Sequence, residues 1–204
     1  MVTRKFLAKD AYKYIKEDSV YWPHIERMVT EVFMPANPGC DLDTEYMLIK
    51  DESYKGYVVG TYEDGDPQYF AIQKMQNGKT GKYEPVTVAL DEAGYEKFKN
   101  LLSDAETGEI TQVRYARHKW MYSVFGYDVD TVILKEFREA LSGVEIVELK
   151  FNSEKKSRDF QVPKGWCDVT LATKFEPENM VKNPAAVSEA LSLVGAVADC
   201  HDRK

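Results

Sequence analysis

Short runs of alternating polar and apolar residues fill the first two thirds of the chain, punctuated at close intervals by turn-forming clusters. This pattern constrains the fold most, because successive side chains leave a strand on opposite faces. Residues 2–7 (VTRKFL), 24–34 (HIERMVTEVFM), 45–50, 55–62, 68–75 and 82–90 read as strands. The breakers PANPGCD, EDGD and QNGKTG separate several of them, and Asn77-Gly78 supplies a hairpin turn. Further strands are predicted at 110–117, 119–124, 128–133 and 144–151. Helices are few. One covers 10–16, with Ala11, Tyr14 and Ile15 on its buried stripe, and another covers 92–102. The second is N-capped by Asp91 and turns Tyr95, Phe98, Leu101 and Leu102 inward. Short helices are expected at 134–141 and 153–160, and a longer amphipathic one at 184–200, placed either over the sheet or between two chains of a homodimer.

Many antiparallel strands at short spacing, with small helices between them, predict an α+β fold. Its centre is one closed or nearly closed antiparallel β-barrel with peripheral helices, a single domain over 1–204. No linker, repeat or low-complexity stretch divides the 204 residues. A net charge of −7 argues against broad binding to nucleic acid or anionic membrane but leaves room for a local basic pocket. Cys40, Cys167 and Cys200 lie far apart without metal-site spacing, which fits a reducing compartment. The start lacks the apolar core of a signal peptide, and the run 190–198 is too short to cross a bilayer. A cytoplasmic protein is therefore the expectation.

Charges two apart on a strand share a face, so Asp128 pairs with Asp130, Glu148 with Lys150, Lys82 with Glu84 and Gln112 with Arg114. A solvent-facing sheet surface would show the same pattern. Val129, Leu149 and Phe151 alternate with these charges, however, and could pack beneath helices and leave the charges inside a barrel. An interior of mixed sign suits an anionic phosphorylated ligand, with lysine and arginine meeting the phosphates and carboxylates a divalent ion. His24, His118 and His201 are isolated and read as surface or structural residues. RYARHKW (114–120) is the most basic stretch. It could stack on nucleic acid, but the acidic chain favours a strand with one wet face. Glycine-rich phosphate loops, G-x-S-x-G and H-E-x-x-H are absent.

Taken in order, several segments resemble the CYTH, or triphosphate tunnel metalloenzyme, superfamily, which includes class IV adenylyl cyclases, thiamine triphosphatases and inorganic triphosphatases. The C-terminal third is the most specific: Asp128-Val129-Asp130, then Glu148-Leu149-Lys150-Phe151, Pro163-Lys164-Gly165-Trp166 and Asp168-Val169-Thr170. KYEPVTVALDEAGYEKF is similar to the family's R-x-E-x-E strand with its following helix, ITQVRY to its I-x-K-x-R-Y strand, and VTRKFL to its E-I-E-R-K-F-L signature. The resemblance implies a β-tunnel whose basic residues hold a nucleotide, triphosphate or polyphosphate; here these are Lys5, Lys50, Lys74, Lys82, Arg114, Lys150 and Lys174. It implies divalent-metal binding by Glu84, Asp128, Asp130 and Glu148, with one Mg²⁺ or Mn²⁺ ion.

The departures from the family pattern set the functional expectation. Met1 and Thr3 stand where the signature has glutamates, Lys150 replaces the second acid of the late E-x-E strand, and Val86 replaces that of R-x-E-x-E. Basic residues are kept and acids are lost. The expectation is a binder of a phosphorylated ligand with weak or no catalysis. A divergent metal-dependent triphosphatase or nucleotidyl cyclase is the alternative, and an interaction protein on the same fold is a third.

Overall fold

A computed structural model describes residues 1–18, 24–34, 45–58, 61–76, 83–103, 111–123 and 126–199. Ten strands form one antiparallel sheet: β1 (Val2–Ala8), β2 (His24–Met34), β3 (Glu45–Val58), β4 (Thr61–Gly65), β5 (Gln68–Gln76), β6 (Tyr83–Leu90), β7 (Thr111–Ser123), β8 (Gly126–Phe137), β9 (Glu145–Phe151) and β10 (Cys167–Asp168). Their order is β10-β1-β9-β8-β7-β2-β3-β5-β6, with β4 hairpinned onto β3. The path has two ends among the described residues, so the antiparallel sheet expected from the sequence is present but a closed barrel is not.

Helices α1 (Ala11–Asp18), α2 (Glu92–Ser103), α3 (Glu154–Asp159), α4 (Pro177–Lys182) and α5 (Pro184–Asp199) surround the sheet. The α2 start matches the sequence pattern, since Asp91 Oδ1 accepts a 2.7 Å hydrogen bond from the Gly94 amide. Phe98, expected on its buried side, is 43% exposed, while Tyr95 packs with Val32 and Leu48. The side chains of Leu101 and Leu102, like that of Tyr14, lie outside the described residues. A carboxylate from the sheet starts α1, where Glu145 Oε2 accepts from the Ala11 amide at 2.8 Å.

Two expected breaks are absent. The strand beginning at Glu45 runs on through Val58, and residues 110–124 give one strand, Thr111–Ser123. The helix expected at 134–141 is strand as far as Phe137, followed by a single 3-10 turn, Glu139–Leu141. Residues 131–136 pair with β9 on one side and with β7 on the other. Two ladders of hydrogen bonds override a helical preference that is worth little per residue.

Two apolar layers lie on opposite sides of the sheet. Phe6, Trp120, Val132, Leu134, Val147, Leu149 and Phe151 pack with Ala11 and Ile15 of α1 and with Trp166 on the outer side. Leu7, Val29, Tyr115, Phe137 and Ile146 pack on the inner side with Phe175, Met180 of α4, and Ala186, Ala190 and Val194 of α5. The C-terminal helix thus covers part of its own chain's sheet. No described helix is long and apolar enough to cross a membrane.

The C-terminal loop is tied to the first strand. Arg4 donates through Nε at 3.0 Å to Asp168 Oδ2 and through Nη1 at 2.8 Å to the Ser157 carbonyl. Thr170 donates to Asp168 Oδ1 at 2.6 Å, and its hydroxyl oxygen accepts from the Lys5 amide. Burial works against ionisation of Asp168, but Thr170 and Arg4 outweigh it and hold its pKa below the ordinary value. The D-V-T stretch is therefore a clasp. Above it Phe6, fully buried, meets Trp166 at 5.7 Å and Phe160 at 6.2 Å between ring centroids.

Phe6→Ala should cost about 3–5 kcal/mol in urea unfolding by opening that cavity. Val86→Ala, at an exposed position, should stay within about 0.5 kcal/mol.

Candidate functional site

Strand register sets the inner face. Leu7 of β1 lies opposite Ile146, Ile146 opposite Lys135, Lys135 opposite Arg117, and Arg117 opposite Arg27. The next inner row runs Lys5, Glu148, Ile133, Lys119 and Ile25, and the row beyond it includes Thr3, Lys150 and Thr131. Three neighbouring strands therefore present Lys135, Arg117 and Arg27 directly abreast. Like charges so placed destabilise a sheet unless something compensates them.

Carboxylates on the same face provide part of that compensation. Asp51, 3% exposed, accepts through Oδ2 from Arg27 at 2.5 Å and Arg117 at 3.1 Å. Glu148 pairs with Lys135 at 3.1 Å, and Glu31 accepts from the Tyr115 hydroxyl at 2.6 Å. Glu176, the residue before α4, reaches down to Lys5 with both oxygens, at 2.6 and 2.7 Å. Among the described residues, Lys119 and Lys150 form no salt bridge to a carboxylate, although the charge of Lys150 acts on Glu148. Burial lowers the pKa of Lys119, and Lys150, Arg117 and Arg27 add to the effect. Among the described residues, this face carries more cationic than anionic side chains.

A β-bulge shapes this arrangement. Val29 faces Asp51 while Met28 faces Ser53, so Glu52 is the extra residue of β3. Asp51 consequently turns inward while Glu52 turns outward, where it accepts from Thr30 at 2.8 Å and from Arg114 at 2.8 Å. Ile25, Arg27, Ile49, Asp51, Gln68, Phe70, Ile72, Thr87, Arg117 and Lys119 line one cavity of about 320 Å³, so five adjacent strands curl around it.

The sequence-derived residues divide between the two faces. Lys5, Lys150 and Glu148 lie on the inner face. Arg114 alternates with the buried Ala116, His118 and Trp120 and points outward to Glu52, while Lys50, opposite Thr30, also faces outward, over the Tyr69 ring. Lys174 pairs with Glu189 at 2.6 Å on the exposed surface beside α5. Val129 and Val132 are buried in the same outer cluster, so alternation skips once between them, which sets Asp130 with Thr131 on the inner side. Asp130 there accepts from Asn152 at 3.4 Å. Lys82 lies outside the described residues, as do the side chains of Lys74, Glu84 and Asp128.

Arg27, Arg117, Lys119 and Lys135 were not singled out from the sequence. Arg117 and Lys119 sit two apart inside RYARHKW, so their shared face was legible. Their strand partners were not. His118, between them, is buried and bonded to Glu136 at 2.9 Å, which holds the Glu136 pKa below its ordinary value.

Mg²⁺ or Mn²⁺ requires several oxygen ligands around one point. No group of three His, Cys, Asp or Glu residues among those described could hold an ion. Glu148 is engaged by Lys135, and Asp51 by two arginines. The described donors do not fit a resident divalent ion.

No family model and no curated protein matches the chain. Solved structures do. The crystal structure of the inorganic triphosphatase NE1496 matches with a TM-score of 0.52 at 17% identity, covering 89% of this chain and 97% of that one. A second structure, titled the hypothetical protein NE1496, gives 0.51 at 17% identity, covering 88% and 96%. The PH1819 protein from Pyrococcus horikoshii OT3 gives 0.44 at 15% identity, covering 96% and 89%. At 17% identity the likeness is one of fold: the chain has the fold of the structure titled inorganic triphosphatase NE1496.

The Glu148–Lys135 pair yields a pH test. Burial opposes ionisation of Glu148, but Lys135, Lys5 and Lys150 lower its pKa below the ordinary 4.5. Such a carboxylate contributes stability that is fully present above 4.5 and lost as pH falls through its folded value. Glu148→Gln should cost about 3 kcal/mol at neutral pH by urea unfolding, and the gap to the parent should narrow below pH 4.5.

Proposed function

We propose that the inner face binds a phosphorylated anion, a nucleotide, triphosphate or polyphosphate, and does so without metal-assisted turnover. The observation that carries this reading is the row of Lys135, Arg117 and Arg27 abreast on three strands, with Lys119 and Lys150 beside them and short of carboxylates. Crowding cations on a partly buried surface is costly in the absence of a ligand, and a phosphate chain relieves it through charge-assisted hydrogen bonds. Asp51 and Glu148 pair with basic groups on this face, and no three acids among the described residues converge on one point. That arrangement supports binding more than hydrolysis. The free thiol of Cys167 accords with a cytosolic protein, which completes the proposal.

Hydrolysis of a triphosphate is the second reading, favoured by the fold shared with a protein titled an inorganic triphosphatase. Phosphate release from tripolyphosphate in Mg²⁺ or Mn²⁺, lost in Lys119→Ala, would establish turnover and displace the binder.

Tripolyphosphate should raise the melting temperature in EDTA, because a ligand of the native state stabilises it by mass action. Lys119→Ala should weaken that binding about tenfold or more, the worth of one charge-assisted hydrogen bond. Arg114→Ala, on the outer face, should leave the affinity unchanged. Equal losses in both variants would remove the inner face from the site.

A further inference from the structure

The carboxylates of the inner face are committed to their neighbours. Asp51 is shared by Arg27 and Arg117, at 2.5 and 3.1 Å. Glu176 gives both oxygens to Lys5, at 2.6 and 2.7 Å. Glu31 accepts from the Tyr115 hydroxyl at 2.6 Å, and Asp130 from the Asn152 amide at 3.4 Å. Among the described residues no three acids gather around one point.

Glu148 is the sharpest case. Lys135 contacts it at 3.1 Å, Lys5 lies opposite it on β1, and Lys150 follows two residues later on the same face of β9. The charges of all three lysines act on this one carboxylate. A divalent ion placed there would bring two more positive charges in among three ammonium groups, with one acid already engaged to hold it. Mg²⁺ bound beside phosphates is held through free carboxylates as well as through the phosphate oxygens. This face instead offers Lys119 and Lys150, both partly exposed and without a salt bridge to a carboxylate among the described residues, and Lys119 lines the 320 Å³ cavity.

We propose that the inner face selects the metal-free form of its anion: Lys119 and Lys150 supply the positive charge that a divalent ion would bring, and Mg²⁺ opposes binding. The inference rests on the reading that this face binds a phosphorylated anion, and it fixes the ionic form in which that anion is taken. Phosphate oxygens already coordinated to Mg²⁺ are poorer acceptors for ammonium groups, and the complex carries less negative charge to meet the cationic row.

Isothermal titration of the full chain with tripolyphosphate tests it, at one pH and matched ionic strength, first in EDTA and then in enough Mg²⁺ to saturate the ligand. Apparent affinity should be about tenfold or more weaker in Mg²⁺, the worth of one charge-assisted hydrogen bond. Lys150→Gln removes one ammonium group, so it should weaken binding in EDTA and bring the two conditions closer together. Lys119→Gln should do the same, and it decides the matter if Lys150→Gln does not fold. Arg114→Ala, on the outer face, should keep the parent's ratio. Binding that is equal or tighter in Mg²⁺ overturns the metal-free selection and leaves the anion site standing. A ratio that neither lysine substitution changes also overturns the selection, and absence of binding in both conditions overturns the anion site with it.

Discussion

Everything on the inner face depends on the mutual repulsion of Lys135, Arg117 and Arg27, set abreast by the pairing of β8, β7 and β2. Each cation could have been apolar at no cost to the strands. The fold instead tolerates the row by spending its inward carboxylates on it, Asp51 between the two arginines and Glu148 on Lys135. Lys135 shows the coupling. Burial opposes its charge, yet Tyr115, Glu148 and Glu31 together raise its pKa above the ordinary value. Its contribution is therefore fully present below the ordinary 10.5 and lost only as pH rises through the folded value. An acid that balances a cation in this way is engaged, and is a poorer ligand for a divalent ion.

The same economy explains the C-terminal segment. Lys5 is held by Glu176 and its amide by Thr170, while Arg4 next to it is held by Asp168. Adjacent residues of β1 thus leave the strand on opposite faces, and both are anchored by residues more than 160 positions away. The segment that resembles a closing D-V-T motif supplies these anchors, which ties the beginning of the chain to its end. Glu176 also brings a carboxylate to the inner face from outside the sheet, because α4 and α5 pack on the apolar end of that face.

Much of this was legible in alternation alone. That Glu148 shares a face with Lys150, and Asp91 caps a helix, follows from spacing and side-chain chemistry. That Arg114 points outward and Arg117 inward did not follow. Both lie on β7, three residues apart and so on opposite faces, and only the partner strands decide which face surrounds the cavity. The skips at Glu52 and between Val129 and Val132 were equally hidden, since a bulge depends on the hydrogen bonds of the neighbouring strand. The run at 134–141 misled for a related reason: its local pattern suits a helix, and only β7 and β9 on either side make it a strand.

By itself, the sequence determined that the chain is strand-rich, that its charges recur with period two, and that Met1 and Thr3 share a strand face with Lys5. Those are properties of neighbours along the chain, fixed by covalent spacing and side-chain direction. The tertiary structure decided which face is enclosed, which cations stand abreast, and that one carboxylate, Asp51, serves two arginines at once. Those are properties of register and curvature. They arise from hydrogen bonds and packing between segments distant in sequence, where no local pattern carries the information.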